Sequence, residues 1–373
     1  MHLKALVDRN LIFVRQQETN GNVKSYSIHD LLRDLCVRKA HEEKFLFVHG
    51  WTAPGNLPIN TSYLRRVCTH EPFSVEDAYK LIEQIRVARS LLLFNGIEKR
   101  AVLYAMVSEL RLLRVLDILR VISIEFPEEI LQLVNLRYLA LTIGRGFPSS
   151  ISRLCNLQTL IAHQDYGEIV IPHRQGSLIV PGILDMPELR HIKLKGSKTY
   201  VEYHGEDKNR SFRDEGNLLS SLIFPPSLKK LTLWNCSILD HDMHEIGKLP
   251  NLQILKLLHC NMQRVDSEFY RYYDFPSGKW VVEDGEFCQL QFLLMEDLNL
   301  VTWVADDTHF PRLEHLVIRR CGDLKEIPLA IGDIPTLKVI EVDGYSLFAA
   351  FSAMIILLAQ LDIGNDDFQV RIL

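Results

Sequence analysis

The chain has 373 residues, of which 47% are hydrophobic and 24% charged, with a formal net charge of -5. It is long enough for one extended array or two unequal domains, and its apolar fraction can fill a large core. So mild a charge excludes a general electrostatic attraction to nucleic acid.

The first ten residues contain Lys4, Asp8 and Arg9 and no uninterrupted apolar run, so they do not read as a secretory signal. A cytoplasmic location is the expectation. The seven cysteines are scattered, without CxxC pairs or the dense spacing of a small secreted scaffold, and read as reduced thiols.

LIFVRQQETNGNVKSYSIHD reads as two short strands around an Asn20-Gly21 turn. IHDLLRDLCVRKA follows as an amphipathic helix, with Ile28, Leu31, Leu32 and Leu35 on one face and Arg33, Asp34, Arg38 and Lys39 mostly elsewhere. Helix, hairpin and helix suggest a winged-helix remnant over residues 1–48. From Trp51 to Asn60 the Gly/Pro content suggests a linker, and LRRVC from Leu64 and SLLLFNG from Ser90 look like irregular early strands. Residues 49–110 are assigned to this linker and early-repeat segment.

From Leu113 the pattern LxxLxL or a close variant occurs nine times, starting at Leu113, Leu136, Leu157, Leu189, Leu228, Leu252, Leu290, Leu313 and Leu337. Successive starts differ by 23, 21, 32, 39, 24, 38, 23 and 24 residues. Five of these eight spacings match the leucine-rich-repeat period. Alternate residues of a strand face the same way, so the LxL pair points into a solenoid core that only stacked copies can close. LKKLTLWNC, LQILKLLHC and LEHLVIRRC place Cys236, Cys260 and Cys321 eight residues after the first leucine, where a small buried side chain turns the chain out of the strand. The intervening FPEEILQLVNL, FPSSISRLCNL, HEIGKLPNL and IPLAIGDIPTL predict short helical or irregular convex turns entered at prolines. The fold class expected over residues 111–373 is α/β: a curved parallel sheet with convex turns, forming a leucine-rich-repeat solenoid.

The three long spacings hold insertions, among them a charged segment from Gly196 to Gly216, and Asn261 to Phe287, which mixes Tyr270, Tyr272, Tyr273, Phe275 and Trp280 with Arg264, Arg271 and Lys279. Leu347 to Ala359 is apolar except for Ser352. It is shorter than the roughly 20 residues that span a bilayer, so it reads as a terminal helix covering a core end, with peripheral membrane contact as the alternative.

Little in the sequence points to covalent chemistry. His241 and His244 stand three apart on a possible helix but offer no third or fourth ligand at a recognisable spacing, so no metal site is assigned. There is no GxSxG elbow for a hydrolase and no GxxxxGK[ST] loop to cradle phosphates. An enzyme is not expected.

The stretch IHDLLRDLCVRKAHEEKFL resembles the MHD-type motif that ends the nucleotide-binding region of plant immune receptors, with Ile28 in place of Met before His29 and Asp30. FPPSLKKLTL, IGKLPNLQILKL, FPRLEHLVIRRCGDLKEIP and IGDIPTLKVIEV resemble the late blight resistance proteins of the nightshade family. The resemblance covers nearly the whole chain. It implies the carboxy-terminal part of a receptor in which a coiled coil, a nucleotide-binding domain and leucine-rich repeats detect pathogen effectors and trigger defence and local cell death. In such receptors the motif histidine contacts bound ADP; here His29, with Ile28 and Asp30, would be one contact of an incomplete site, and no cofactor is assigned to the chain itself. ADP or ATP belongs to full-length relatives. A nucleotide-driven ATPase switch requires a phosphate loop upstream, and a generic repeat scaffold or adaptor is the other rival. The relatives have a more polar helix where Leu347 to Ala359 is apolar.

Alternation within each LxxLxL copy places Tyr138, His191, Lys193, Lys195, Lys230, Trp234, Lys256, His315 and Arg319 on the concave face. Lys230, Lys256 and the lysines at 193 and 195 form a basic column with Trp234 as an anchor, suited to an acidic protein surface. Glu296, Glu341 and Asp343 are expected to make the last repeats acidic. The resemblance suggests three protein partners: a pathogen effector, a guarded host protein, or the receptor's own nucleotide-binding domain. Nucleic acid is not among the expected partners.

Overall fold

A computed structural model describes residues 2–17, 23–49, 64–70, 75–94, 100–123, 125–144, 147–164, 183, 185–196, 224–263 and 278–373. They fall into two compact units, divided between Val121 and Ile122.

The first unit begins with a helix, His2–Asp8, and an antiparallel hairpin in which strand Ile12–Gln17 pairs with Val23–Ile28. The Asn20-Gly21 turn lies outside the described residues. Helix Asp30–Glu42 follows directly. It is amphipathic in sequence, but the expected apolar face is not covered here: Leu31 and Leu35 are exposed, and the helix buries no residue. A parallel ladder then builds from Phe47–His49 through Arg66–Thr69 and Ser90–Leu93 to Val115–Ser123. LRRVC and SLLLFNG thus each supply a strand. Helices Val75–Gln84 and Arg100–Glu109 connect successive strands.

The second unit is a leucine-rich-repeat solenoid. Parallel strands Tyr138–Ile143, Thr159–Gln164, His191–Lys195, Lys230–Trp234, Ile254–Leu258, Phe292–Glu296, His315–Arg319, Val339–Val342 and Gln369–Ile372 pair in chain order. Each LxxLxL copy starts two residues before its strand, so its first leucine ends the convex turn and its LxL pair enters the sheet. All the first leucines are buried. Removing one such side chain costs about 2–5 kcal/mol, because neighbouring turns cannot collapse into the space. The last strand lacks the LxxLxL spacing and is held by pairing with Val339–Val342.

Most of the expected convex turns are short helices. Pro127, Pro148 and Pro328 precede 3-10 turns Glu128–Gln132, Ser149–Arg153 and Leu329–Asp333, where a fixed backbone φ and an absent N–H suit a helix start. Helix Asp240–Gly247 serves the same purpose after the Lys230 strand. Cys236, Cys260 and Cys321 are buried, and each thiol donates to the carbonyl two residues back, at 3.4, 3.3 and 3.3 Å. Just before them Asn235, His259 and Arg320 adopt positive φ, as does Asp297 at the same point of its repeat, which turns the chain sharply out of the strand.

Of the insertions, residues 197–223 and 264–277 lie outside the described residues, and with them Tyr270, Tyr272, Tyr273, Phe275, Arg264 and Arg271. Trp280, within the insertion from Asn261 to Phe287, is part of the folded repeat. It lies in strand Gly278–Val281, stacks on Trp303 at 5.5 Å and meets Phe287 and Phe310 edge-on, so it fills a core beneath side strand Leu300–Val304.

The apolar stretch near the end is helix Leu347–Asp362. Ala349, Ser352, Ala353, Ile356 and Gln360 face inward, and Gln360 donates to the Gly332 carbonyl at 3.0 Å. The helix does cover the core end, with Ile356 among small residues, while most of its large apolar side chains point outward.

Candidate functional site

The open face of the second unit's sheet is formed by alternate residues of each strand, and the register lines them into rows across the repeats. Thr159, His191, Lys230, Ile254, Phe292, His315, Val339 and Gln369 form one row. Ile161, Lys193, Thr232, Lys256, Leu294, Val317, Glu341 and Arg371 form the next, and His163, Lys195, Trp234, Leu258, Glu296 and Arg319 the third. Tyr138 extends the first row beside Thr159. The residues expected on this face are all there, in the expected register, because strand alternation fixes the side of every residue once the core leucines are placed.

Trp234 organises the basic part. The ammonium groups of Lys193 and Lys195 lie 5.4 and 4.8 Å from its ring centre, and His259 stacks against it at 6.0 Å. Each such cation–π contact is worth about 0.5–1 kcal/mol at a partly exposed site, enough to hold a long side chain in place without neutralising it. Lys256 sits similarly over Phe292, at 4.9 Å. The His191 imidazole, in the same row as Lys230, is pushed below its usual range by burial first, and then by Lys230, Arg190 and Lys229.

Two expectations for the later repeats need correction. His315 is buried, at 7% exposure, so it does not present an accessible contact. Its imidazole is pushed below its usual range, with burial the largest cause. Glu341 is buried as well and does not make the face acidic. Its carboxylate lies 3.2 Å from Arg371, 3.3 Å from His315 and 3.7 Å from Arg319. Arg371 carries no signal in the sequence because its strand lacks the LxxLxL pattern. Arg319 and Arg371, both partly exposed, offset Glu341 and the half-exposed Glu296, so this end of the face is close to neutral.

His241 and His244 do not act together. His244 Nδ1 lies 2.8 Å from Glu286 and its Nε2 3.7 Å from Glu283, while His241 is exposed. The ligand-capable atoms of His244, Glu283 and Glu286 lie within 4.8 Å of one another. No spacing rule could reveal these partners, because the insertion and side strand intervene. The arrangement is explained by an imidazole bridging two carboxylates.

No protein-family model matches the chain. Three curated proteins of Solanum demissum align with almost all of it. Putative late blight resistance protein homolog R1B-16 is 29% identical over 99% of this chain and 32% of its own length. Late blight resistance protein R1-A is also 29% identical over 99% of this chain, and 33% of its own. The chain is similar in sequence to the late blight resistance proteins. A further putative homolog of that kind is 29% identical over all of this chain and 55% of its own length. The chain thus spans about a third of the first two relatives. Among solved structures, a leucine-rich-repeat protein of Leptospira interrogans covers 75% of this chain and 78% of its own at 16% identity, with a TM-score of 0.33, too loose a superposition to bear on function.

The Ile28-His29-Asp30 triplet sits where strand Val23–Ile28 passes into helix Asp30–Glu42. His29 is the N-cap, and its Nδ1 accepts the Leu31 N–H at 3.4 Å. His29 and Asp30 are exposed and Ile28 is half-buried. This geometry gives His29 a local role in starting the helix while leaving its other ring nitrogen outward. Among the described residues no helix is long and apolar enough to cross a membrane.

Proposed function

We propose that this chain is a recognition module of a plant disease-resistance protein, binding an acidic protein surface across the open face of its second unit. The observation that carries the reading is the patch of Lys193, Lys195, Lys230 and Lys256 arranged around Trp234 and Phe292. An aromatic platform with fixed cations combines the anchor and the charge complementarity that protein interfaces use. The acting principle is non-covalent: a rigid sheet supplies the surface, and partner choice follows from its side chains. A pathogen effector, a guarded host protein and the receptor's own nucleotide-binding domain all fit such a face, as does a location in the cytoplasm.

Selection from a displayed random-peptide library tests the surface. Asp- and Glu-rich peptides should be enriched, bind more weakly as salt rises, and be lost on Lys193→Glu/Lys256→Glu. Enrichment that ignores acidity or survives this charge reversal would overturn the proposal. The defence role is tested by silencing the gene and challenging leaves with the late blight pathogen, with larger lesions expected.

The exposed His29 at a strand–helix junction supports a second reading, in which Ile28, His29 and Asp30 complete a nucleotide site whose phosphate loop lies on another segment. Equilibrium dialysis with ADP should then show negligible binding to this chain alone. Full-length protein should bind, and lose affinity on His29→Ala.

A further inference from the structure

Helix Leu347–Asp362 carries a second surface that recognition on the sheet does not use. Its outward residues Leu347, Phe351, Met354, Leu358 and Leu361 are spaced four, three, four and three apart, and Phe348 and Ile355 flank them. These seven side chains are between 38% and 70% exposed. The spacing is that of an a/d seam, the pattern by which one helix packs along another. Together they expose roughly 750 Å² of apolar surface, taking ~200 Å² for each fully exposed large side chain. That is close to the ~800 Å² each partner contributes to a standard stable interface and exceeds the largest patch usual on a monomer.

We infer that this face is a homodimer interface, in which the helix packs antiparallel against the same helix of a second copy. The seam is self-complementary about Met354 to within one residue: Leu347 and Leu361 lie seven residues on either side of it and would face each other, and Phe351 would face Leu358, as an isologous two-fold contact permits. The helix has one charge, Asp362, at its carboxy end. An antiparallel pair places the two Asp362 side chains about 24 Å apart, the length of a 16-residue helix, whereas a parallel pair would bring them together. A lipid surface fits less well. Helices that lie in a bilayer interface carry Lys or Arg along their polar flank, and this one has none, with Asp362, Asp366 and Asp367 at its end to be repelled by anionic headgroups.

Sedimentation equilibrium of the full chain at micromolar concentrations tests the inference. The wild type should approach twice the monomer mass, and Phe351→Glu/Leu358→Glu, which alters only exposed positions, should sediment as a folded monomer with unchanged circular dichroism. The geometry is tested by Met354→Cys in a chain whose exposed Cys36, Cys155 and Cys288 are Ser. Oxidation should yield a dimer whose digest contains a 354–354 disulfide. A wild type that stays monomeric, a dimer that survives both glutamates, or a monomer that instead floats with phosphatidylcholine–phosphatidylserine vesicles through this helix would each overturn it.

Discussion

Replacing Asp242 with Asn should stabilise the protein at neutral pH and leave it unchanged in acid. Asp242 lies in the first turn of helix Asp240–Gly247, is buried, and accepts the Leu239 N–H at 2.9 Å. Burial pushes its carboxyl from 3.8 up to about 6, against the smaller opposite pulls of that hydrogen bond and His241. The folded state therefore holds its proton more tightly than the unfolded chain does. Between pH 3.8 and about 6 folding takes up a proton, so stability is greatest below this window and is lost as pH rises through it. Above it the ionised side chain costs at most roughly 3 kcal/mol, and about 1–2 kcal/mol once partial solvation is allowed for. An Asn carbonyl can accept the same N–H without the charge. Urea unfolding followed by tryptophan fluorescence should show Asp242→Asn more stable by that amount at pH 7.5 and equal to wild type near pH 3.5. A variant less stable at pH 7.5 would refute the reasoning, since it would mean that the carboxylate is favoured at the helix start.

Arg320 adopts a φ of 50° with an exposed side chain, so Arg320→Gly should raise stability by about 0.5–1 kcal/mol in the same assay, the Asp343 hydrogen bond to its backbone N–H being retained. A Cβ at Gly332 would come within 2.6 Å of Ile356 Cγ2, so Gly332→Ala should cost about 1–3 kcal/mol. A double-mutant cycle with Ile356→Ala should recover much of that cost if the terminal helix docks on this turn. Thiol titration of the native protein should find Cys36, Cys155 and Cys288 reactive, and Cys68, Cys236, Cys260 and Cys321 reactive only after unfolding. Burial pushes the Cys68 and Cys321 thiols up to about 11, which removes the reactive thiolate at neutral pH.

The repeats and the sidedness of residues in the nine LxxLxL strands could be read from the sequence by itself, because a period-two pattern of buried leucines admits one register. That is why Lys193, Lys195, Lys230, Trp234 and Lys256 stand together as expected. The tertiary structure decided what depends on side chains from different repeats. Glu341 looks acidic in one dimension and is neutralised in three, since Arg319 and Arg371 are supplied by the strands on either side. His244 finds Glu286 42 residues away, and Trp280, which falls in an insertion, joins the Trp303 stack through a side strand that no LxxLxL spacing marks. The apolar run near the end had a predictable secondary structure but not a predictable orientation. The helix docks with Ile356 and Gln360 against Gly332 and with small residues 349, 352 and 353 also facing inward, and that packing turns most of its large side chains outward.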